Sequence, residues 1–562
     1  MPTPHQPTRA QSSAENLAQS SATSPAQNAP ASAASASATR ASTARTQPGT
    51  GPRLSRRTLL QAAGVPAAAI ALGTAAPQDA GAAPPPREDL FGLGVAAGTP
   101  RHDSMVLWTR LAPEPLAVDG HGGMPAHSVA VHWEVARDDS FRRLVAHGTA
   151  LAEPELAHSV HPQVTGLEPA TDYVYRFRCG RSTSPVGRFR TLPAPGTPLD
   201  RFSFGFASCQ AWYHGYFTPW KHLAAEKDLD LIVFVGDYIY EYGIREGDNL
   251  RRQGASVGPA HQVPVETLEQ YRLRYSLFKT DPHLQAAHAR AAMVVTWDDH
   301  EVENNYAGTQ SQYGVEPEDF EHRIAVAYRA FYENLPIGID ALPEGPHARI
   351  HDSFDAGDLV RFTTLDTRQH RDAIPSDRSR TDDEDRSILG REQEEWLAER
   401  LRTSRAQWNV VVNSVTVAPI ADTSVDQWDG FPAARRRLLD LLRDTSDPVV
   451  LTGDIHRHAA TELWSDPSAD RAASESLGVE LICTSIASDG DGKPGGGSDT
   501  WLRHPYVEFM DSRRGYVHVQ LTPDAMDATF VVVPYIEADD RAPREVALRL
   551  RTPAGSRRLE RV

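Results

Sequence analysis

Three apolar runs, each breaking into acids, imidazoles and phenols, constrain this chain more than any other feature. They are "LDLIVFVGDYIYEYG" (Leu229 to Gly243), "AAMVVTWDDHEVENNY" (Ala291 to Tyr306) and "PVVLTGDIHRH" (Pro448 to His458). Runs without polar alternation mark strands covered on both faces, as in sheets packed between other layers. In layered α/β folds, ligand sites lie just beyond the carboxyl ends of such strands. The breaks would deliver Asp237, Tyr238 and Tyr240, then Asp298, Asp299, His300 and Asn304, then Asp454, His456 and His458, to one edge. A fourth stretch, "SFGFASCQ" (Ser203 to Gln210), ends in the thiol of Cys209.

Each break taken singly has an ordinary explanation. Gly236-Asp237 reads as a turn or a helix cap, the Asp298 segment as a capped loop, and His456 with His458 as a solvated pair. Together, however, they gather like charges that repel unless a cation or substrate neutralises them. Thiolate, phenolate, imidazole and carboxylate suit an oxidised ion of the iron type, whereas an all-oxygen set suits Ca²⁺, Mg²⁺ or Mn²⁺. Two unlike ions are implied, with Asp237 as the natural bridge. Paired ions about 3.5–4 Å apart clamp the attacking and leaving oxygens of a phosphoryl displacement, so the expected chemistry is hydrolysis of a phosphate ester.

Charge and leader narrow the setting. A formal net charge of -17 over 562 residues disfavours non-specific binding to nucleic acid or anionic membrane, and no nucleic-acid-binding module is expected. Residues 1 to about 52 hold Glu15 as their single acid among Ala, Ser, Thr, Pro and Gln, a composition that cannot offset chain entropy by burial. "SRRTLL" (Ser55 to Leu60) then precedes a modestly apolar run and "DAGAAPPP", a pattern that resembles a twin-arginine export signal cleaved near Ala82 or Ala83. The run is too short and too rich in Ala and Gly to span a bilayer well. No stable membrane span is expected, and the protein would be secreted, periplasmic or wall-associated. Cys179, Cys209 and Cys483 form no disulfide framework, which leaves at least one thiol spare in an oxidising compartment.

Past the leader the pattern changes twice. Short alternating stretches from about 88 to 195, such as "VAVHWEVA" and "DYVYRFRCG", point to a small antiparallel β-sandwich. Within it "VTGLEPATDYVYRF" resembles the loop and strand of fibronectin type III modules, where a Tyr packs at a sheet corner. "TLPAPGTP" (Thr191 to Pro198) reads as a stiff linker. The expected division is 1–83 disordered leader and signal, 84–197 β-sandwich, and 198–562 catalytic domain. Leu389 to Leu401 and Glu318 to Pro336 have amphipathic helical spacing, "SDGDGKPGGGS" (Ser488 to Ser498) reads as a flexible loop or lid near the site, and the tail beyond about 540 is basic in patches.

"GDYIYEY", "WDDHEVENN", "DTRQHR" (Asp366 to Arg371), "WDGFPAARRRLL" (Trp428 to Leu439) and "LTGDIHRH" together resemble the PhoD-type alkaline phosphatase and phosphodiesterase family of calcineurin-like metallophosphoesterases. The resemblance runs from about residue 88 to near 540. It implies an α/β fold, a four-layer αββα sandwich preceded by the small fibronectin-like or immunoglobulin-like β-domain, and a monomer acting on phosphate esters at alkaline pH after export by the twin-arginine machinery. It further implies a ferric ion with one or more calcium ions. Cys209, Asp237, Tyr240 and His456 would hold Fe³⁺, while Asp299 and Asp454 would face Ca²⁺. Asn413 is a weaker oxygen ligand in this scheme, and Asn304 or Asn305 an extra calcium ligand. His300 follows as general acid or phosphate-orienting group and Arg368 as phosphate clamp, against the alternative that Arg368 pairs with a nearby acid such as Asp366. The other outcome left open is a degenerate relative that binds phosphate or phosphopolymer without turnover.

Overall fold

The apolar runs become the central strands of two facing sheets. In this computed structural model residues 89–562 are described, apart from 246, 249–250, 252–253, 376–379, 421–424 and 497. The leader and the twin-arginine segment lie outside the described residues.

In the first sheet Phe202–Ala207, Leu231–Val235 and Ala292–Thr296 run parallel, with Phe204 opposite Leu231 and Leu231 opposite Ala292. Gly515–Leu521, Ala525–Val532 and Glu545–Pro553 extend it antiparallel on one side, so the basic tail is a set of edge strands, tied by the Arg551–Asp527 ion pair at 2.7 Å. In the second sheet Val360–Thr364, Trp408–Val412, Pro448–Thr452 and Ser476–Ile482 are parallel neighbours.

Phe204, Phe206, Val233 and Val235 of the first sheet share one buried core with Phe362, Val410, Val412, Leu451 and Leu481 of the second. Phe204 meets Phe362 edge-on at 5.2 Å. The outward residues Ile232, Phe234, Met293 and Val295 lie under helices that include Leu268–Lys279 and Pro317–Asn334. On the far side, Val411, Val450 and Ile482 pack under Arg391–Arg402 and Pro432–Arg443. Helix, sheet, sheet and helix make the expected four layers. Leu397 and Leu401 are buried as their spacing implies, and the Pro317 helix stops just before Leu335-Pro336.

The β-sandwich ahead of these layers shares a sheet with them. Val129–Ala136, Leu144–Ala152, Asp172–Cys179, Ser182–Thr183 and Gly187–Arg190 form one antiparallel sheet. Its inward Val131, Tyr175 and Phe177 join the core residues Leu107, Val160 and Val164, which belong to the first large sheet. Val95–Gly98 pairs with that sheet in parallel, Gly98 opposite Met293, and carries Ser104–Arg110 with it. The hydrogen-bonded sheet therefore crosses the 197/198 boundary expected from sequence. At the sandwich corner Tyr173 Oη accepts from the Glu168 backbone N–H at 2.9 Å, the tyrosine corner that the sequence resembles.

Candidate metal centre and active site

Five parallel strands of the two sheets end at one edge, and each hands over to a polar residue. Cys209 lies two residues past Ala207, Asp237 two past Val235, Asp298 two past Thr296, Asn413 one past Val412 and Asp454 two past Thr452. The backbone there is strained. Cys209 (φ 56), Asp237 (φ 58), Asp454 (φ 65) and His456 (φ 53) all sit in the left-handed region. Such conformations cost about 1–3 kcal/mol each and persist where surrounding structure holds them, typically at functional sites. Gly236 (φ 103) must be glycine, since a Cβ there would lie 2.5 Å from Asp298 Cβ.

Side-chain donor atoms from these ends fall into three groups, each within 4.8 Å: Cys209, Asp237 and His456; Asp237, Asp299 and His300; Asp298, Asp299 and Asp454. Tyr240 Oη adds itself to the first, 3.0 Å from Asp237 Oδ2 and 2.9 Å from His456 Nε2. Asp237 belongs to two groups, and its Oδ1 is buried without a hydrogen-bond partner, as is Asp298 Oδ2. Buried carboxylate oxygens are costly unless bonded or coordinated.

Electrostatics point the same way. Burial pushes Asp237 well above the usual carboxylate range, with His300 opposing and the neighbouring acids adding to it. Burial likewise raises Cys209 and Asp454, and nearby carboxylates reinforce both shifts. Asp298 is pushed up to about 6 by burial against the pull of Arg368. Asp299 alone among these acids is held low: burial would raise it, but Arg368 and His300 outweigh that. So many acids cannot all ionise here unaided, and cations at the donor groups would let them. The residues present therefore fit metal ions, a sulfur–nitrogen–oxygen set on one side and carboxylates on the other.

Around the donors the support is dense. Glu301 accepts the backbone N–H groups of Asp237, Tyr238 and Asp298 at 3.2, 2.6 and 2.9 Å, locking two strand ends together. Glu241 Oε2 accepts from His300 Nδ1 at 2.7 Å, which leaves Nε2 as the free ring nitrogen. Burial disfavours charge on His300, but Asp299, Glu241 and Asp237 outweigh it and raise its pKa well above the ordinary value. Gln427 reaches Asp454 through Nε2. His458 turns away: its Nδ1 accepts from Thr484 N–H and its Nε2 donates to Val531 O, so it is a core residue. Asn305 donates its backbone N–H to Asp299 Oδ2 at 2.7 Å, while Asn304 bonds Gln312.

Two expectations need correction. Arg368 is not placed to clamp a phosphate. Its Nε bonds Asp298 Oδ1 at 2.5 Å, its two terminal nitrogens bond Asp426 at 2.9 and 2.7 Å, and the side chain is fully buried. The competing ion-pair alternative holds in a different form, since the acids are Asp298 and Asp426 rather than Asp366, which accepts only the Arg368 backbone N–H. Asn413 ends its strand as expected, but its carboxamide is engaged elsewhere: Nδ2 donates to Val415 O at 2.5 Å and Oδ1 accepts from Trp428 Nε1 at 3.4 Å.

Sequence reasoning assigns no role to Glu241, Glu301, Asp426 or Gln427, places Ser488 and Asp489 only within a flexible loop or lid near the site, and leaves Asp298 out of the ligand set. Glu241 carries a readable signal, adjoining Tyr240 inside one of the motifs that carry the family resemblance. The thiols resolve simply: Cys179, Cys209 and Cys483 are all free and buried.

A family model for PhoD-like phosphatases matches residues 204–530, and one for their N-terminal domain matches residues 75–193. This chain belongs to the PhoD-like phosphatases. Alkaline phosphatase D of Bacillus subtilis (strain 168) is 43% identical in an alignment 507 residues long that covers 86% of this chain and 85% of that protein. A solved structure described as "Structure of PhoD" aligns with a TM-score of 0.79 at 41% identity, covering 85% of this chain and 93% of that one. As a PhoD-like phosphatase the chain is an enzyme of the phosphoric ester hydrolase class, and the donor groups occupy its strand ends.

Proposed function

We propose that this PhoD-like phosphatase is an exported, metal-dependent alkaline phosphatase that hydrolyses phosphate monoesters, diesters or both at a mixed Fe³⁺ and Ca²⁺ centre. One observation carries the reading: Asp237 belongs to two donor groups of different chemistry and keeps a buried oxygen with no partner. Cys209, Asp237, Tyr240 and His456 would hold the iron, and Asp237, Asp298, Asp299 and Asp454 the calcium. Bound there, the ions would neutralise the acids and supply Lewis acidity to a phosphoryl oxygen and to the attacking water.

The chain's own groups do the rest. Glu241 fixes the His300 ring through Nδ1, so Nε2 can hold a proton for the departing oxygen. Arg368 keeps Asp298 and Asp299 ionised and in place, since it lies 2.5 Å from one and 3.8 Å from the other. The paired arginines at 56 and 57 support export by the twin-arginine route. Among the described residues no helix is long and apolar enough to cross a membrane.

The test is hydrolysis of a chromogenic phosphate monoester and diester at alkaline pH, before and after chelation of calcium. Turnover that disappears with chelator and returns with added Ca²⁺ is the expected result, and the ratio of the two rates assigns the ester class. A protein that retains metal yet turns over neither ester is a binding relative instead.

A further inference from the structure

The segment Thr484–Asp489 leaves the end of the Ser476–Ile482 strand and supplies none of the ligands named above, yet it touches three of them. The backbone N–H groups of Ile486 and Ala487 donate to Cys209 O at 3.0 and 3.4 Å. Ser488 Oγ donates to Tyr240 Oη at 2.7 Å and accepts the Ala211 backbone N–H at 3.1 Å. Asp489 Oδ2 accepts from His456 Nδ1 at 2.6 Å, while the Asp489 backbone N–H donates to His214 Nδ1 at 3.0 Å. Asp489 is itself strained, with φ at 67°. These contacts reach the thiol, phenol and imidazole members of the centre and omit its all-carboxylate side.

Three polar groups converge on the Tyr240 phenol in this corner. Tyr240 Oη receives a hydrogen bond from Ser488 and lies within reach of both Asp237 Oδ2 and His456 Nε2, but a phenol has one proton to give. In the neutral His456 ring, Nδ1 donating to Asp489 leaves the lone pair on Nε2.

We infer that Ser488 and Asp489 are positioning residues for the iron half of the centre: Asp489 fixes the His456 tautomer that presents the Nε2 lone pair, and Ser488 supports Tyr240 as a phenolate. The inference rests on the metal reading proposed above. A partner for the second ring nitrogen fixes the orientation of a ligating histidine and raises its basicity, and its loss typically costs about 10–100-fold in metal affinity or activity. The hydroxyl of Ser488 stabilises the anionic form of the phenol by hydrogen bonding to it.

The experiment uses the mature protein as purified, with Asp489→Asn, Asp489→Ala and Ser488→Ala beside Asp491→Ala. Asp491 anchors the same loop through the backbone N–H groups of Ile536 and Glu537 at 2.7 and 2.9 Å, and touches no ligand. Iron retained per chain is measured against a graded chelator, together with the visible phenolate-to-iron absorption band. Both Asp489 variants should release iron at about 10–100-fold lower chelator concentration. Ser488→Ala should keep its iron but shift the band to longer wavelength, because a phenolate without its donor gives up charge more readily. Asp491→Ala should do neither. Wild-type protein with iron and a band, but variants indistinguishable from it or from Asp491→Ala, overturns the positioning role alone. Wild-type protein that never holds iron overturns the metal reading, and this inference with it.

Discussion

Arg368 and Asp426 form a two-pronged ion pair at 2.9 and 2.7 Å, with the guanidinium wholly enclosed. The same arginine bonds Asp298 and lies 3.8 Å from Asp299, so one cation organises three acids behind the centre.

Truncating that cation should therefore damage the fold before it damages substrate binding. Arg368→Ala leaves Asp298 buried without its cation and Asp426 with Arg371 alone, a loss of about 3–5 kcal/mol for a broken buried pair. A melting temperature well below wild type is expected by calorimetry. Arg368→Lys keeps the charge but loses the fork, and should fall between the two. Unchanged stability with a raised KM would restore the phosphate-clamp role.

His300 is fixed by Glu241 at 2.7 Å and packs its ring against Tyr240 at a centroid distance of 4.3 Å. As proton donor to the departing oxygen, its value depends on how poor that leaving group is. His300→Ala should slow esters of simple alcohols by about 10²–10⁴-fold, the usual worth of general acid catalysis. Nitrophenyl esters, whose leaving group departs as a stable anion, should lose far less. Equal losses across leaving groups, measured as kcat at saturating substrate, would assign His300 to orientation alone.

Acid sensitivity has a contributor outside the donor groups. Burial, followed by the nearby Arg274, lowers the His261 pKa from its ordinary 6.5 to about 4. The unfolded chain takes up this proton near pH 6.5 and the folded chain only near 4. The stability from neutral His261 is therefore whole above pH 6.5 and drains away as pH falls toward 4, on the order of 2 kcal/mol after allowance for solvent screening. His261→Asn should show a smaller drop in melting temperature between pH 7.5 and pH 4.5 than wild type. An identical drop in both proteins would remove His261 from the account.

A one-dimensional pattern can carry only part of such a site. Asp237, Asp299, Asp454 and Cys209 were readable because long apolar runs announce doubly covered strands, and the residues just past such a strand must lie at its carboxyl edge. Buried strands and packing helices were readable from the same runs and from the helical spacing around Trp396 and Phe331, whereas their four-layer arrangement came only with the family resemblance. Asp489 and Asp426 were not, since each sits in a loop with no period and meets its partner across 33 and 58 residues of chain. Arg368 misled because an arginine near a phosphate site looks identical in sequence whether it faces the substrate or the acids behind it. The pairing of Gly98 with Met293 was equally hidden, because a parallel partner nearly two hundred residues away leaves no local mark.

The most direct measurement of the central claim is the metal content of Asp237→Ala beside wild type, by elemental analysis of the purified mature proteins. Asp237 lies in both the sulfur–nitrogen–oxygen group and the group with Asp299 and His300, which shares Asp299 with the all-carboxylate set, so its removal should strip iron and calcium together and abolish ester hydrolysis. A variant that keeps both ions, or that still hydrolyses phosphate esters at the wild-type rate, would contradict a bridged two-metal centre.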